Sequence, residues 1–184
     1  MADRGPVAYP ALVQALAVIC PLDIASDDRA WIEDVRARHD PQHKLVEAHF
    51  TLVFPTTGIG AMNLARHVEQ IAERTCAIAF RLNCARAVRD SLAPRSHIFL
   101  MTDDGEAEIR RLHEALYSGE LSSSLRTDIP FHPHVTVAAF ETHSEAEALS
   151  REIGAIEVRG RLRTLALMSV DDGAIRQERA FPLL

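Results

Sequence analysis

The chain has 184 residues, 47% of them hydrophobic, with a formal charge of −6 and a pI near 5.8. That length suffices for a real core and for one domain, expected to run over 1–184 with two lobes. The acidic balance excludes a broad phosphate-backbone binder, so no extended nucleic-acid surface is expected and any such contact should be confined to a cleft.

In chain order, the apolar run Ala11–Ile19 reads as a strand. It is too short to span a bilayer, and Gln14 and Pro21 interrupt it too soon for a cleavable leader, so a cytoplasmic protein without membrane contact is expected. Cys20, Cys76 and Cys84, odd in number and without Cys-x-x-Cys, read as core thiols of a reducing compartment. Ser26 starts a helix with Asp27 and Asp28 in its first turn and Trp31, Ile32 and Val35 on its apolar stripe, closed at Pro41. Ala48–Phe54 is a strand ended by Pro55, and Gly60 leads into a helix on which Leu64, Val68 and Ile71 recur at helical spacing. Ala77–Leu82 alternates weakly as a strand.

The second half repeats the plan. His97–Met101 is a short buried strand, Asp103-Asp104-Gly105 turns the chain, and Glu106–Tyr117 is a helix through Ile109, Leu112 and Leu116. Ser118–Asp128, with Gly119 and three serines, reads as a flexible loop. After a strand ending at Phe140, a helix begins at Ser144 and runs to about Ile153. Ile156–Val170 contains a long strand that Asp171-Asp172-Gly173 turns back toward Arg176–Leu183.

Two tripeptides of one design stand 85 positions apart: His49-Phe50-Thr51 in AHFTLVFP and His134-Val135-Thr136 in PHVTVAAF. On a strand, residues two apart project to the same face, so each copy presents an imidazole and a hydroxyl together. A single His-x-Thr is ordinary strand composition; two copies in matching contexts are not. Side by side they offer two groups of pKa near 6.5, one to take a proton and one to give it, with two hydroxyl donors for phosphate oxygens. This chemistry requires no metal and no cofactor.

The paired motifs, with Phe131-His132-Pro133 leading into the second, resemble the two-histidine phosphoesterases, which include the bacterial RNA 2′,3′-cyclic phosphodiesterases also called 2′-5′ RNA ligases. The resemblance implies an α+β fold of two pseudo-symmetric lobes, each a mainly antiparallel sheet with outer helices, around a central groove that carries both motifs. It implies His49 and His134 as catalytic and Thr51 and Thr136 as phosphate-binding, in a metal-independent hydrolase of a cyclic phosphate or related 2′-5′ ester. The partner would be a nucleotide, an RNA terminus or a small cyclic phosphate, bound by a monomer. Ligase-like members commonly carry a basic residue three positions after the second threonine; Ala139 stands there in this chain.

Phe54, Phe131, Phe140 and Tyr9 are candidates to stack on a base, with at most one expected to do so. His132 is expected to orient the loop before its strand, and Lys44, Arg81 and Arg95 could rim a phosphate site. Two readings compete with the hydrolase: a nucleotide or RNA-end binding module without useful turnover, and a metal-dependent enzyme using His132, His134, His97, His113 and His143 as ligands.

Overall fold

The computed structural model describes residues 14–91, 93–171 and 174–184. Tyr9, the start of the expected first strand and the Asp172-Gly173 turn lie outside them. Nine strands form one antiparallel sheet: β1 (Ala15–Pro21), β2 (Asp23–Ile24), β3 (His49–Thr56), β4 (Ile78–Arg89), β5 (Ser96–Asp104), β6 (His134–Phe140), β7 (Ala155–Leu162), β8 (Thr164–Asp171) and β9 (Ala174–Pro182). Their spatial order is β2-β7-β4-β5-β6-β3-β1-β8-β9.

The two expected lobes are the two halves of this sheet. β3 and β6 meet where they adjoin, through the pair Phe50 and Val135. At the other side β1 passes to β2 across Leu22 alone, and β7 to β8 across Arg163 alone, although each pair of strands sits toward opposite ends of the order. Connections that short force the sheet to curl until its ends approach. The expected long strand over 156–170 is therefore two strands, broken at Arg163, where the ribbon leaves one half for the other. Gly160 sits at this convergence, and a Cβ there would meet the Asp23 carbonyl oxygen at 2.6 Å and the Phe80 ring at 2.7 Å.

Four helices cover one face. α1 (Ser26–His39) packs on β6, α4 (His143–Ile153) on β4, β5 and β6, α2 (Ala61–Ala72) on β8 and β9, and α3 (Glu106–Leu116) chiefly on β3. Their buried residues Ile32, Val35, Leu64, Val68, Ile109 and Leu112 join the same core as Phe50, Val135 and Leu100 from the sheet. Since side chains alternate along a strand, the neighbours of Phe50 and Val135, which include both motif histidines, stand on the face away from the helices.

Local chemistry explains the boundaries. Acidic Asp27 and Asp28 open α1, and Arg36, Arg38 and His39 close it, each matching the helix dipole. Thr142, one turn before Glu145, caps α4 by accepting the Glu145 backbone N–H at 3.4 Å, so that helix begins a residue earlier than Ser144. Gly105 takes φ +83 before α3, a conformation that suits glycine, and any Cβ would strike the Ala79 carbonyl.

Other expectations need correction. β4 continues past Leu82 to Arg89, because its pairing with β5 resumes at Cys84 after register shifts on either side of Leu82. β3 runs through Pro55 to Thr56. Within the expected loop 118–128, Gly119–Ser124 is a 3₁₀ helix anchored by the buried Leu121, and Ser124 accepts a 3.1 Å hydrogen bond from Thr56. Of the three thiols only Cys20 is buried, and Cys76 is exposed. Among the described residues no helix is long and apolar enough to cross a membrane.

Phe50 is fully buried and meets Phe80 edge to face, with ring centroids 5.1 Å apart. It therefore ties the junction of the halves to the convergence at Gly160. Phe50→Ala should cost about 3–5 kcal/mol, read as a lower urea midpoint at unchanged slope.

Candidate active site

The Phe50–Val135 pair dictates the site. In an antiparallel ladder its neighbours fall opposite one another, so His49 faces Thr136 and Thr51 faces His134. The four side chains form a square in which each imidazole lies across from the other strand's hydroxyl, and the arrangement is close to two-fold symmetric. All four are half-buried. Among the described residues neither threonine hydroxyl has a hydrogen-bond partner, which leaves both for a ligand.

Both histidines are clamped in the same way. The Nδ1 of His49 lies 2.7 Å from the Glu47 carbonyl oxygen, and the Nδ1 of His134 lies 2.6 Å from that of His132. A carbonyl oxygen only accepts, so each Nδ1 carries the proton and donates it. Each Nε2 is then left with a lone pair in the neutral ring and a proton in the cation. The clamp is local, from residue i to residue i−2, and it assigns His132 a backbone role.

The surroundings of the two rings differ. His134 lies flat against Phe99 of β5, centroids 3.7 Å apart and planes 20° apart, and His97 also stacks with Phe99, at 5.9 Å. Desolvation by this packing pushes the His134 pKa down to about 4, with the charges of His97, His132 and His49 adding to the effect. Burial also lowers His49, but its neighbourhood contains carboxylates: Asp40 and Glu33 favour its cation while Arg36 opposes it.

Those charges form the anchor of the segment leading into β3. Arg36 is buried and pairs with Glu33 at 3.0 Å and Asp40 at 2.9 Å while donating to the Val46 carbonyl at 2.8 Å. Glu33 also accepts the Ala48 backbone N–H at 2.8 Å. The chain immediately before His49 is thus fixed to α1 by charge-assisted bonds.

The remaining candidates are dispersed. Phe131 stacks on His113 of α3 at 3.7 Å and 2°, half-buried against the core. Phe54 is 45% exposed, three residues or about 10 Å along β3 from Thr51. Phe140 pairs with His39 of α1 at 5.5 Å. Lys44 is exposed in the turn between α1 and β3, and Arg81 pairs with Asp103. His113 bonds the Leu52 carbonyl at 2.8 Å, His143 sits 3.1 Å from the Ser96 hydroxyl, and His97 lies 3.2 Å from Asp90. Among the described residues no three His, Cys, Asp or Glu side chains converge as metal ligands would.

Phe99 is a site residue that sequence reasoning missed. Its signal was the period-2 run His97-x-Phe99-x-Met101, which places three large side chains on one face, but nothing local shows that this face meets β6.

Comparison with known proteins identifies the family and the fold. A Bacillus licheniformis protein that carries a phosphoesterase name is 29% identical over 105 residues, covering 56% of this chain and 59% of that protein, under two thirds of its length. Escherichia coli LigT superposes with a TM-score of 0.57 at 18% identity, covering 94% of this chain and 99% of LigT. Kluyveromyces marxianus Usb1 gives 0.57 at 8% identity, covering 92% and 98%. These two structures share the fold. Residues 24–174, most of the chain, match the 2′-5′ RNA ligase superfamily as a family, and the chain belongs to it.

Proposed function

We propose that this protein is a metal-independent phosphodiesterase that hydrolyses a cyclic phosphate, either a 2′,3′-cyclic nucleotide or an RNA terminus, or a related 2′-5′ ester. Family membership supports phosphoester chemistry in general. The observation that carries the finer reading is the square of His49, Thr136, Thr51 and His134 with both Nδ1 atoms held by carbonyls. LigT has been solved with NADP+, 3′-AMP and ATP, and a nucleotide partner for the present groove is consistent with that.

In this reading His134 is the base and His49 the acid. Burial against Phe99 lowers His134 to about 4 and suits it to the neutral role; burial lowers His49 as well, with Arg36 against its cation, and the nearby Asp40 and Glu33 are the reason for assigning it the acid. Water attacks phosphorus in line and gives its proton to Nε2 of His134; the P–O bond to the departing ribose oxygen breaks, and that oxygen takes the proton from Nε2 of His49. Ring opening leaves a phosphomonoester. Thr51 and Thr136 donate to the non-bridging oxygens throughout.

A panel of 2′,3′-cyclic nucleotides, 2′-5′ dinucleotides and ADP-ribose cyclic phosphate, run with a chelator, tests the assignment. His49→Ala or His134→Ala should each lower kcat by about 10² to 10⁴-fold with the fold retained by circular dichroism. Full activity in either variant would defeat the mechanism. Loss of all activity on chelation and its return with a divalent ion would do the same, and binding without turnover would favour the binding-module reading.

The threonines act on substrate and transition state alike, so Thr51→Val and Thr136→Val should weaken binding and rate together by about 1–3 kcal/mol each. Unchanged kinetics in the double variant would reduce them to strand formers.

The pH profile follows from the two environments. Activity should fall as acid protonates His134, near pH 4, and fall again as rising pH strips the proton from His49, below the ordinary 6.5. The kcat/KM profile is therefore a bell whose limbs are shared by the coupled pair, with its maximum below 6.5 because both groups are lowered. Phe99→Ala admits water to His134 and should move the acid limb upward; an unmoved limb would separate Phe99 from the titration.

A further inference from the structure

The two sides of the groove floor differ in character. Beside Thr51 the floor is small and apolar: Ile19 pairs with Thr51 and with Ala166, and Ala17 with Met168, making a cluster separate from the helix-covered core. On the other side the register continues from Thr136 to Phe99 of β5 and from Phe99 to Arg86 of β4. Cross-strand partners share a face, and Phe99 lies against His134, so Arg86 is on the groove face in the same row as His49 and Thr136.

Arg86 is exposed, and among the described residues no carboxylate pairs with it. Farther along that face Arg81 pairs with Asp103 and Arg159 with Glu157, while Arg161, opposite Ala79 near the end of β4, lies farthest from the motif strands. Phe99 is already stacked with His134 and His97, so its ring is engaged within the protein. What this side presents to a ligand is therefore an unneutralised guanidinium, two strands or about 10 Å from the row of hydroxyls on β6. With the Phe99 side chain standing between them in the row, that backbone spacing sets Arg86 beyond the phosphate held by Thr51 and Thr136 and suits a second phosphate farther along the ligand.

We propose that Arg86 binds a second phosphate, on the nucleotide next to the scissile one, and so makes the site selective for an oligonucleotide end over a cyclic mononucleotide. This rests on the reading of the groove as a phosphodiesterase site. Guanidinium matches phosphate with two parallel hydrogen bonds, and on an acidic chain one free arginine beside the site gives local attraction without a broad nucleic-acid surface. The acidic overall charge and a nucleic-acid substrate are then compatible.

The test compares a nucleoside 2′,3′-cyclic phosphate with a dinucleotide ending in the same group, and in parallel the affinities of a nucleoside 3′-phosphate and a dinucleotide 3′-phosphate by calorimetry. The unaltered protein should prefer the dinucleotide in both measurements. Arg86→Ala should reduce kcat/KM and affinity for the dinucleotide by about tenfold or more, with little change for the one-phosphate ligands, and should flatten the salt dependence of dinucleotide binding by about 0.7 in log–log slope. Arg86→Lys should recover part of the preference. Equal losses on both ligands, or an unaltered preference, would overturn the role of Arg86. Absence of turnover on every cyclic phosphate would instead overturn the phosphodiesterase reading, while the affinity ratio still judges Arg86.

Discussion

The pairing of Phe50 with Val135 is the constraint on which the site depends. The two His-x-Thr motifs lie far apart in the chain, and no local preference holds them together. One antiparallel pair sets His49 against Thr136 and Thr51 against His134, and slipping it by a single residue would turn one set of side chains into the core. Burial enforces the register: Phe50 and Val135 are both fully inaccessible, and placing either histidine there would strand an imidazole among apolar side chains.

Given that register, the remaining orientation is local. Each imidazole donates Nδ1–H to the carbonyl two residues earlier, so its tautomer is set by its own strand. The cost of holding those carbonyls in place is met differently on the two sides. Before His49 the buried Arg36, with Glu33 and Asp40, fixes the chain to α1. Before His134, Arg110 of α3 donates to the Phe131 carbonyl, and Phe131 itself stacks on His113.

The near-symmetry of the square is broken by what surrounds it. Phe99 and His97 press on one ring with apolar surface and like charge, whereas carboxylates stand near the other. Two chemically identical groups stand in different surroundings, which would let one residue type serve as both acid and base. The floor is asymmetric in the same direction, apolar beside Thr51 and cationic beyond Phe99, so a polyanionic ligand has one preferred way to lie.

Much of this was legible in the residues themselves. The motif spacing, the α1, α2 and α3 periodicities and the strand character of 48–54 and 134–140 are short-range properties, set by side-chain alternation and helix termini. The break at Arg163, the length of β4 and the 3₁₀ turn at Gly119–Ser124 depend on which strand or pocket receives them, and a continuous β-prone run carries no mark of where a sheet will curl. The same holds for the site: His49, Thr51, His134 and Thr136 could be named from their pattern, while Phe99 against His134 and the row that leads to Arg86 are contacts between β6, β5 and β4. The sequence by itself determined which groups are candidates for the chemistry, because their type and spacing are local. Only the tertiary structure decided their pairing, their different surroundings and the charge beside them, because those depend on strand register and burial between segments distant in the chain.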